Sequence, residues 1–257
     1  MAALRGKTAL VTGASSGIGQ AIAARLAANG AVVAVHYGSN AAGADRTVAQ
    51  ITAAGGTAYP VRAEFSRPDA ADRLWAAFDS AQAERNAEPR LDILVNNAAI
   101  PSSGGLDEVD HADFDRLYAV NVRAPYFVIQ RGLGRLRDHG RIVNISSGVT
   151  RIALPATLAY SMTKGAINVL SSTLAHQLGS RGITVNAVAP GIVEVDGNTA
   201  WLRRDPDEFA RWSSYSAFNR VGRPADIADV VAFIASDDAR WITGQYIDAT
   251  GGSLLGA

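Results

Sequence analysis

Cysteine is missing from all 257 residues, which excludes disulfide bonds, thiolate nucleophiles and cysteine-ligated metals. Histidine is nearly as scarce. His36, His111, His139 and His176 stand far apart, without the local spacings of metal-binding motifs, so no metal site is expected and most of them read as surface or turn residues. Charge of either sign is not in excess: lysine plus arginine and aspartate plus glutamate number 24 each, which removes the net field that nucleic-acid or membrane-surface binding relies on. No apolar run approaches the roughly 20 residues of a membrane-spanning helix. The opening "MAALRGKTALVTG" runs into an apolar strand-like stretch without a secretory-signal pattern, so a cytoplasmic location is expected.

What the chain does have is a rhythm. Short β-branched runs ("TALVTG", "AVVAVHY", "TAYPVRA", "LDILVNNAA", "GRIVNISS", "GITVNAVAPG", "GQYIDATGG") alternate with longer alanine-rich stretches, the first three of which are Gln20 to Asn29, Ala41 to Ala54 and Asp69 to Glu84. Such alternation predicts an α/β architecture, a doubly wound parallel sheet with helices on both faces, because parallel strands are joined by right-handed crossovers. One domain over 1–257 is expected, an ordinary size for a single α/β core. Between about Glu194 and Asn219 the composition shifts to aromatics and charges, including Trp201, Phe209, Trp212, Tyr215 and Phe218 with Arg203, Arg204 and Arg211. The segment reads either as a short lid over the strand ends or as a docked pair of structural helices; spacings such as Phe209, Trp212, Tyr215 suit a packed helix face.

Gly13, Gly17 and Gly19 in "LVTGASSGIGQ" lie between the first strand-like run and the first helical stretch. A tight, serine-capped turn would use them, and so would a phosphate cradle at a helix start. Their G-x-x-x-G-x-G spacing departs from the general dinucleotide fingerprint and leaves both readings open. The second strand-like run ends "VVAVHYGSN", with no acidic residue before Asp45. Tyr37, Ser39 and Asn40 are neutral hydrogen-bonding groups where a carboxylate would repel a 2′-phosphate. NADP(H) is thereby favoured over NAD(H), with Arg46 the nearest cation in sequence; a plain polar loop is the alternative.

Tyr160 and Lys164 are four apart in a helical stretch and share a face, and Ser147 ends a strand-like run thirteen residues before Tyr160. Carbonyl reduction needs a proton donor, and a phenol of pKa about 10 is a weak one. An ammonium about 4 Å away would contribute around 4 kcal/mol at an effective dielectric near 20.

With these residues in place, the chain resembles the short-chain dehydrogenase/reductase family, in its branch of enzymes of about this length. The resemblance rests on T-G-A-S-S-G-I-G (Thr12 to Gly19), N-N-A-A (Asn96 to Ala99), Asn121, Ser147, Y-S-M-T-K (Tyr160 to Lys164) and P-G (Pro190, Gly191). It implies a Rossmann fold of seven strands in the order 3-2-1-4-5-6-7. Tyr160 would be the general acid or base and Ser147 the hydrogen-bond donor to the substrate oxygen. Lys164 would lower the tyrosine pKa and hold the nicotinamide ribose, and Asn121 would anchor a water in a proton relay. The loop of Gly13, Ser15, Ser16, Gly17, Ile18 and Gly19 would hold the adenosine side and pyrophosphate, with Glu64, Phe65, Asn96 and Ala98 beside the adenosine. Pro190, Gly191 and Val193 would border the nicotinamide.

Three positions depart from the family pattern. Ala99 stands for a usual glycine and Glu64 for a usual aspartate. Val195 replaces a threonine that usually bonds the nicotinamide carboxamide, which leaves Thr199 or backbone groups to do so. Asn121 also has a structural reading, a local helix distortion helped by Pro125. The expected function is an NADPH-dependent ketoreductase acting on a small-molecule ketone of 3-oxoacyl-thioester or polyketide-like type, free or bound to a carrier or CoA. The "GITVNAVAPG" and "GRPADIADVVAFIASDDARWITGQYIDATGG" stretches are similar to 3-oxoacyl-carrier-protein reductases. An NAD-linked alcohol or sugar dehydrogenase and a dinucleotide sensor without turnover are the alternatives. The resemblance further implies a homo-oligomer, a tetramer, built on the helices carrying Asn121 and Tyr160 and on the C-terminal strand with its preceding helix.

Overall fold

The computed structural model describes residues 3–253. Seven strands form one sheet: β1 (Thr8–Val11), β2 (Val32–Tyr37), β3 (Thr57–Arg62), β4 (Leu91–Asn96), β5 (Leu136–Ile145), β6 (Thr184–Pro190) and β7 (Tyr246–Ala249). Their order is β3-β2-β1-β4-β5-β6-β7 and every neighbouring pair is parallel, as the resemblance implies. The helices are α1 (Gly17–Ala28), α2 (Ala41–Ala53), α3 (Ala70–Glu84), α4 (His111–Tyr118), α5 (Ala124–Gly132), α6 (Leu158–Leu178), α7 (Thr199–Leu202), α8 (Pro206–Ser214) and α9 (Pro224–Ile234). The first helix begins at Gly17, three residues before its alanine-rich run, which brings the glycine loop into its first turn.

Strand composition follows position in the sheet. β4 is central and buried along its whole length, sending Ile93 and Val95 into one core and Leu94 into the other. β3 lies at the edge and its burial alternates, which is also why it tolerates Pro60, a residue with no N–H for a further ladder. One core packs Ile22 and Leu26 of α1 against Val231 of α9; the other packs Trp75 and Phe78 of α3 against Val128 and Ile129 of α5. The Trp75 indole, fully inside, donates to the Val128 carbonyl at 2.9 Å and so keeps no orphaned N–H.

Two irregularities shape the carboxyl end of the sheet. Between α4 and α5 the chain makes a π-helical turn at Ala119–Arg123; Pro125, one residue into α5, has no N–H to give to the Asn121 carbonyl in an α-helical pattern. After β6, Val193 bridges to Gly222, and Glu194 N–H donates to the Gly222 carbonyl at 2.9 Å. The excursion carrying α7 and α8 is thus pinned where it leaves and where it returns. On it, Trp201 and Trp212 lie 5.7 Å apart, and Tyr215 meets Trp212 edge-on at 5.4 Å.

Candidate active site

The glycine loop is held from beneath by side chains and leaves its backbone facing outward. Thr12 Oγ1 accepts from the N–H groups of Asn97 (2.9 Å) and Ala98 (3.0 Å). Asn97 Nδ2 donates in turn to the carbonyls of Thr12 (2.9 Å) and Gly13 (3.1 Å). Gly13 and Gly17 have φ of +63° and +58°, which side-chain-bearing residues adopt at a cost. Ser16, at the head of α1, makes no side-chain cap, so the N–H groups of the first turn stay open to a ligand. A Cβ on any of the three glycines would run into Ala98, Val195 or the Gly13 carbonyl, and the turn that only glycine permits here fits the pyrophosphate of a dinucleotide.

Next to it lies a recess of about 380 Å³ lined by the glycine loop, His36, Gly38, Glu64, Phe65 and Ala98. As expected for most of the histidines, His111, His139 and His176 lie at the surface; His36 is the exception and is buried under the loop. Its Nε2–H faces the Ala63 carbonyl at 2.9 Å, which fixes Nδ1 as the acceptor for the Gly13 N–H at 3.1 Å. Phe65 stacks on the ring at 4.3 Å. Burial pushes the imidazole down from 6.5 to about 4. The unfolded chain therefore takes up a proton that the native one refuses between these values, and stability falls as pH drops through that window. Urea unfolding at about pH 7 and about pH 5 should show the parent losing about 2 kcal/mol more than a His36→Gln variant. Equal losses would place the titration elsewhere.

A second recess, about 360 Å³, adjoins the first through Ile18, Asn97, Ala99 and Val195 and reaches Ser147, Tyr160, Lys164, Pro190, Gly191, Val193 and Trp201. Each recess has the volume of a small-molecule site. Ser147 follows β5 and heads a short 3₁₀ turn, while Tyr160 and Lys164 occupy successive turns of α6. Lys164 is buried; its Nζ donates to the Ile145 carbonyl at 2.8 Å and sits 5.6 Å from the centre of the Tyr160 ring. Burial pushes the Lys164 ammonium down to about 8. The lowering of the tyrosine that the sequence suggested is not what the packing produces: burial pushes the Tyr160 phenol up to about 12, with the Ser147 hydroxyl pulling the other way. Asn121 is clamped, accepting from Ile100 N–H and donating to the Ile100 carbonyl, both at 2.9 Å, and donating to Thr163 Oγ1 at 3.3 Å.

Most residues singled out by the sequence converge on this cleft, but not all. Asn96 turns into the sheet, where its Nδ2 donates to Asn144 Oδ1 at 2.8 Å; the neighbouring Asn97 lines the cleft instead. Asn40 caps α2 by accepting from Gly43 N–H at 3.0 Å, and Tyr37 and Ser39 flank Gly38 at the end of β2. A Cβ at Gly38 would lie 3.4 Å from Glu64 Oε2, so a carboxylate reaches this end of the cleft from β3, a placement the β2 sequence does not reveal. Thr199 spends its hydroxyl on the Val195 carbonyl at 3.0 Å. Asn198 lines the second recess, and nothing in its sequence context singles it out.

The Enoyl-(Acyl carrier protein) reductase family model matches residues 13–253. The versicolorin reductase of Emericella nidulans is 39% identical over 263 residues, covering 98% of this chain and 97% of that protein. The angucycline C-6 ketoreductase LanV, solved with bound NADP, superposes with a TM-score of 0.94 at 49% identity, over 99% of this chain and 98% of that one. The reductase LugOII, which catalyses keto-reduction at C1 during lugdunomycin biosynthesis, gives 0.95 at 51%, over 99% and 100%. With that cleft and these relatives, the chain belongs to the short-chain dehydrogenase/reductase family, as an oxidoreductase moving hydride between a nicotinamide and a ketone or secondary alcohol.

Proposed function

We propose that the protein is a ketoreductase that takes NADPH and reduces a ring-bearing, polyketide-like ketone. The observation that carries this reading is the catalytic recess, where Ser147, Tyr160 and Lys164 meet beside the half-exposed indole of Trp201. When bound, the dinucleotide supplies the hydride. Tyr160 donates its phenolic proton to the substrate oxygen, and Ser147 donates a hydrogen bond to the same atom. Burial pushes the phenol up and makes it a weaker acid than a free one, so proton transfer leans on the Ser147 hydrogen bond, which pulls the other way, and on the nearby Lys164. Lys164 holds the nicotinamide ribose and limits the cost of the phenolate left behind. Asn121 anchors a water in the proton path, at a turn where the α-helical hydrogen-bond ladder is interrupted.

Ser15, Ser16, Ile18 and the three glycines hold the pyrophosphate and adenosine side, and Glu64, Phe65 and Ala98 border the adenine. Pro190, Gly191 and Val193 border the nicotinamide. The NADP bound by LanV and the neutral Tyr37 and Ser39 support NADP(H) over NAD(H), against the Glu64 carboxylate that reaches Gly38 from the end of β3. Relatives named for versicolorin and angucycline reduction support a fused-ring ketone, to which Trp201 offers an aromatic face. A homotetramer is part of the reading, since Tyr126, Phe127 and Val169 are exposed on α5 and α6 and Trp241 is 95% exposed before β7. A cytoplasmic location is proposed with it; among the described residues no helix is long and apolar enough to cross a membrane.

Titration with NADPH and NADH, followed by turnover on a panel of ketones, tests the proposal. NADPH is expected to bind at least about tenfold more tightly, a difference of about 1.4 kcal/mol, and fused-ring ketones to turn over faster than aliphatic ones. Equal affinities would overturn the cofactor assignment. Turnover confined to NAD-linked oxidation of alcohols or sugars would overturn the substrate and direction.

A further inference from the structure

We infer that Asn198 is a positioning residue for the nicotinamide half of the cleft: it holds the 193–198 loop in the shape that seats Val195 against the glycine loop. The inference rests on the dinucleotide reading of the cleft. Asn198 Oδ1 accepts from Val195 N–H and its Nδ2 donates to the Val193 carbonyl, both at 2.9 Å. One amide therefore clamps both sides of the residue between them. The Val195 carbonyl is also saturated, taking the Asn198 N–H at 2.9 Å, the Thr199 N–H at 3.0 Å and the Thr199 hydroxyl at 3.0 Å.

The clamp matters because of where Val195 goes. It lines both recesses, and its Cγ1 would stand 3.2 Å from a Cβ placed on Gly17, so its methyls close over the turn that opens α1. Valine has no hydroxyl with which to bond a ligand or a loop, and Thr199 is already committed to the Val195 carbonyl. The polar side chain left in this stretch of the catalytic recess is Asn198, and it is spent on the backbone. The amide thus holds the loop from within, through bonds that do not involve a ligand.

Asn198→Ala removes both bonds. Asn198→Asp keeps an acceptor for Val195 N–H and turns the donor facing the Val193 carbonyl into a second acceptor. Binding is measured by calorimetry with the whole dinucleotide and, separately, with its adenosine half, 2′,5′-ADP or 5′-ADP according to which dinucleotide the parent takes. Both variants are expected to weaken the whole dinucleotide about ten- to thirtyfold, Asn198→Ala through two lost hydrogen bonds and Asn198→Asp through one lost bond and the repulsion of carboxylate and carbonyl, and to leave the adenosine half within about twofold. The KM for the dinucleotide should rise with them while kcat changes less, and Trp201, three residues on, should show a shifted emission in the unliganded variants. Equal weakening of both probes would mean general damage and overturn the proposal, as would whole-dinucleotide affinity within about twofold of the parent. If the parent itself binds neither probe, the dinucleotide reading fails, and the positioning role fails with it.

Discussion

Tyr160→Phe is expected to lower the rate of ketone reduction by about 10²- to 10⁴-fold, the range that positioned acid–base groups supply, while dinucleotide affinity stays within a few-fold of the parent. The substitution takes away one oxygen and keeps the ring, so the packing around α6 and the approach of Lys164 Nζ to the ring face, 5.6 Å from its centre, are retained. Single-turnover oxidation of NADPH in the presence of a responsive ketone reads the chemical step directly. A variant retaining more than about a tenth of the parental rate would show that the proton comes from another group, and the assignment to Tyr160 would fall. The same variant separates an enzyme from a sensor, because a protein that only reports dinucleotide binding would keep its response.

The second large effect is expected at Gly19. A Cβ there would overlap the Gly13 carbonyl oxygen and the Asn97 amide nitrogen, two atoms already hydrogen-bonded to each other beneath the loop. Neither can yield alone: the carbonyl belongs to the turn and the amide spans from β4 to β1. Gly19→Ala should weaken dinucleotide binding by at least about a hundredfold, near 3 kcal/mol, through displacement of the α1 start from its cradle. Gly134→Ala, where a Cβ meets nothing within 4 Å, is the matched control and should stay within about 0.5 kcal/mol of the parent in stability. Fluorescence titration of both variants decides the matter; a Gly19→Ala protein binding within about threefold of the parent would mean that the loop gives way cheaply.

Much of this site was legible because it is written in side chains at fixed spacings. Helical period puts Tyr160 and Lys164 on one face, and strand and turn signals place Ser147 and the glycine loop at element ends, but their roles come from the family resemblance, since spacing alone leaves each open. What escaped was written in contacts between backbone and side chain from distant segments. His36 sits in an apolar run whose strand is covered on both faces, so it is buried, and its partners are the N–H of Gly13 and the carbonyl of Ala63. Asn96 and Asn97 are identical neighbours at the end of β4, where uniform burial leaves no alternation to say which one faces the cleft. Spacing also conveys nothing about desolvation, and so the Tyr160 phenol lies above its ordinary value rather than below it. The clamp by Asn198 was hidden for the reason that hid His36: its partners are peptide groups.

The π turn at Ala119–Arg123 bears on how such a chain varies over time. A π turn holds an extra residue relative to an α turn, and one residue corresponds to about 100° around a helix axis. It reads as a one-codon insertion into what would otherwise be a single continuous helix from His111 to Gly132. Deleting a codon there would let the turn close to α geometry and leave α5 in phase with α4, so Val128 and Ile129 would stay against Trp75 while Asn121 would be drawn off the Ile100 backbone. The reach of Asn121 to the Ile100 backbone thus depends on the number of residues in this turn as well as on their identity.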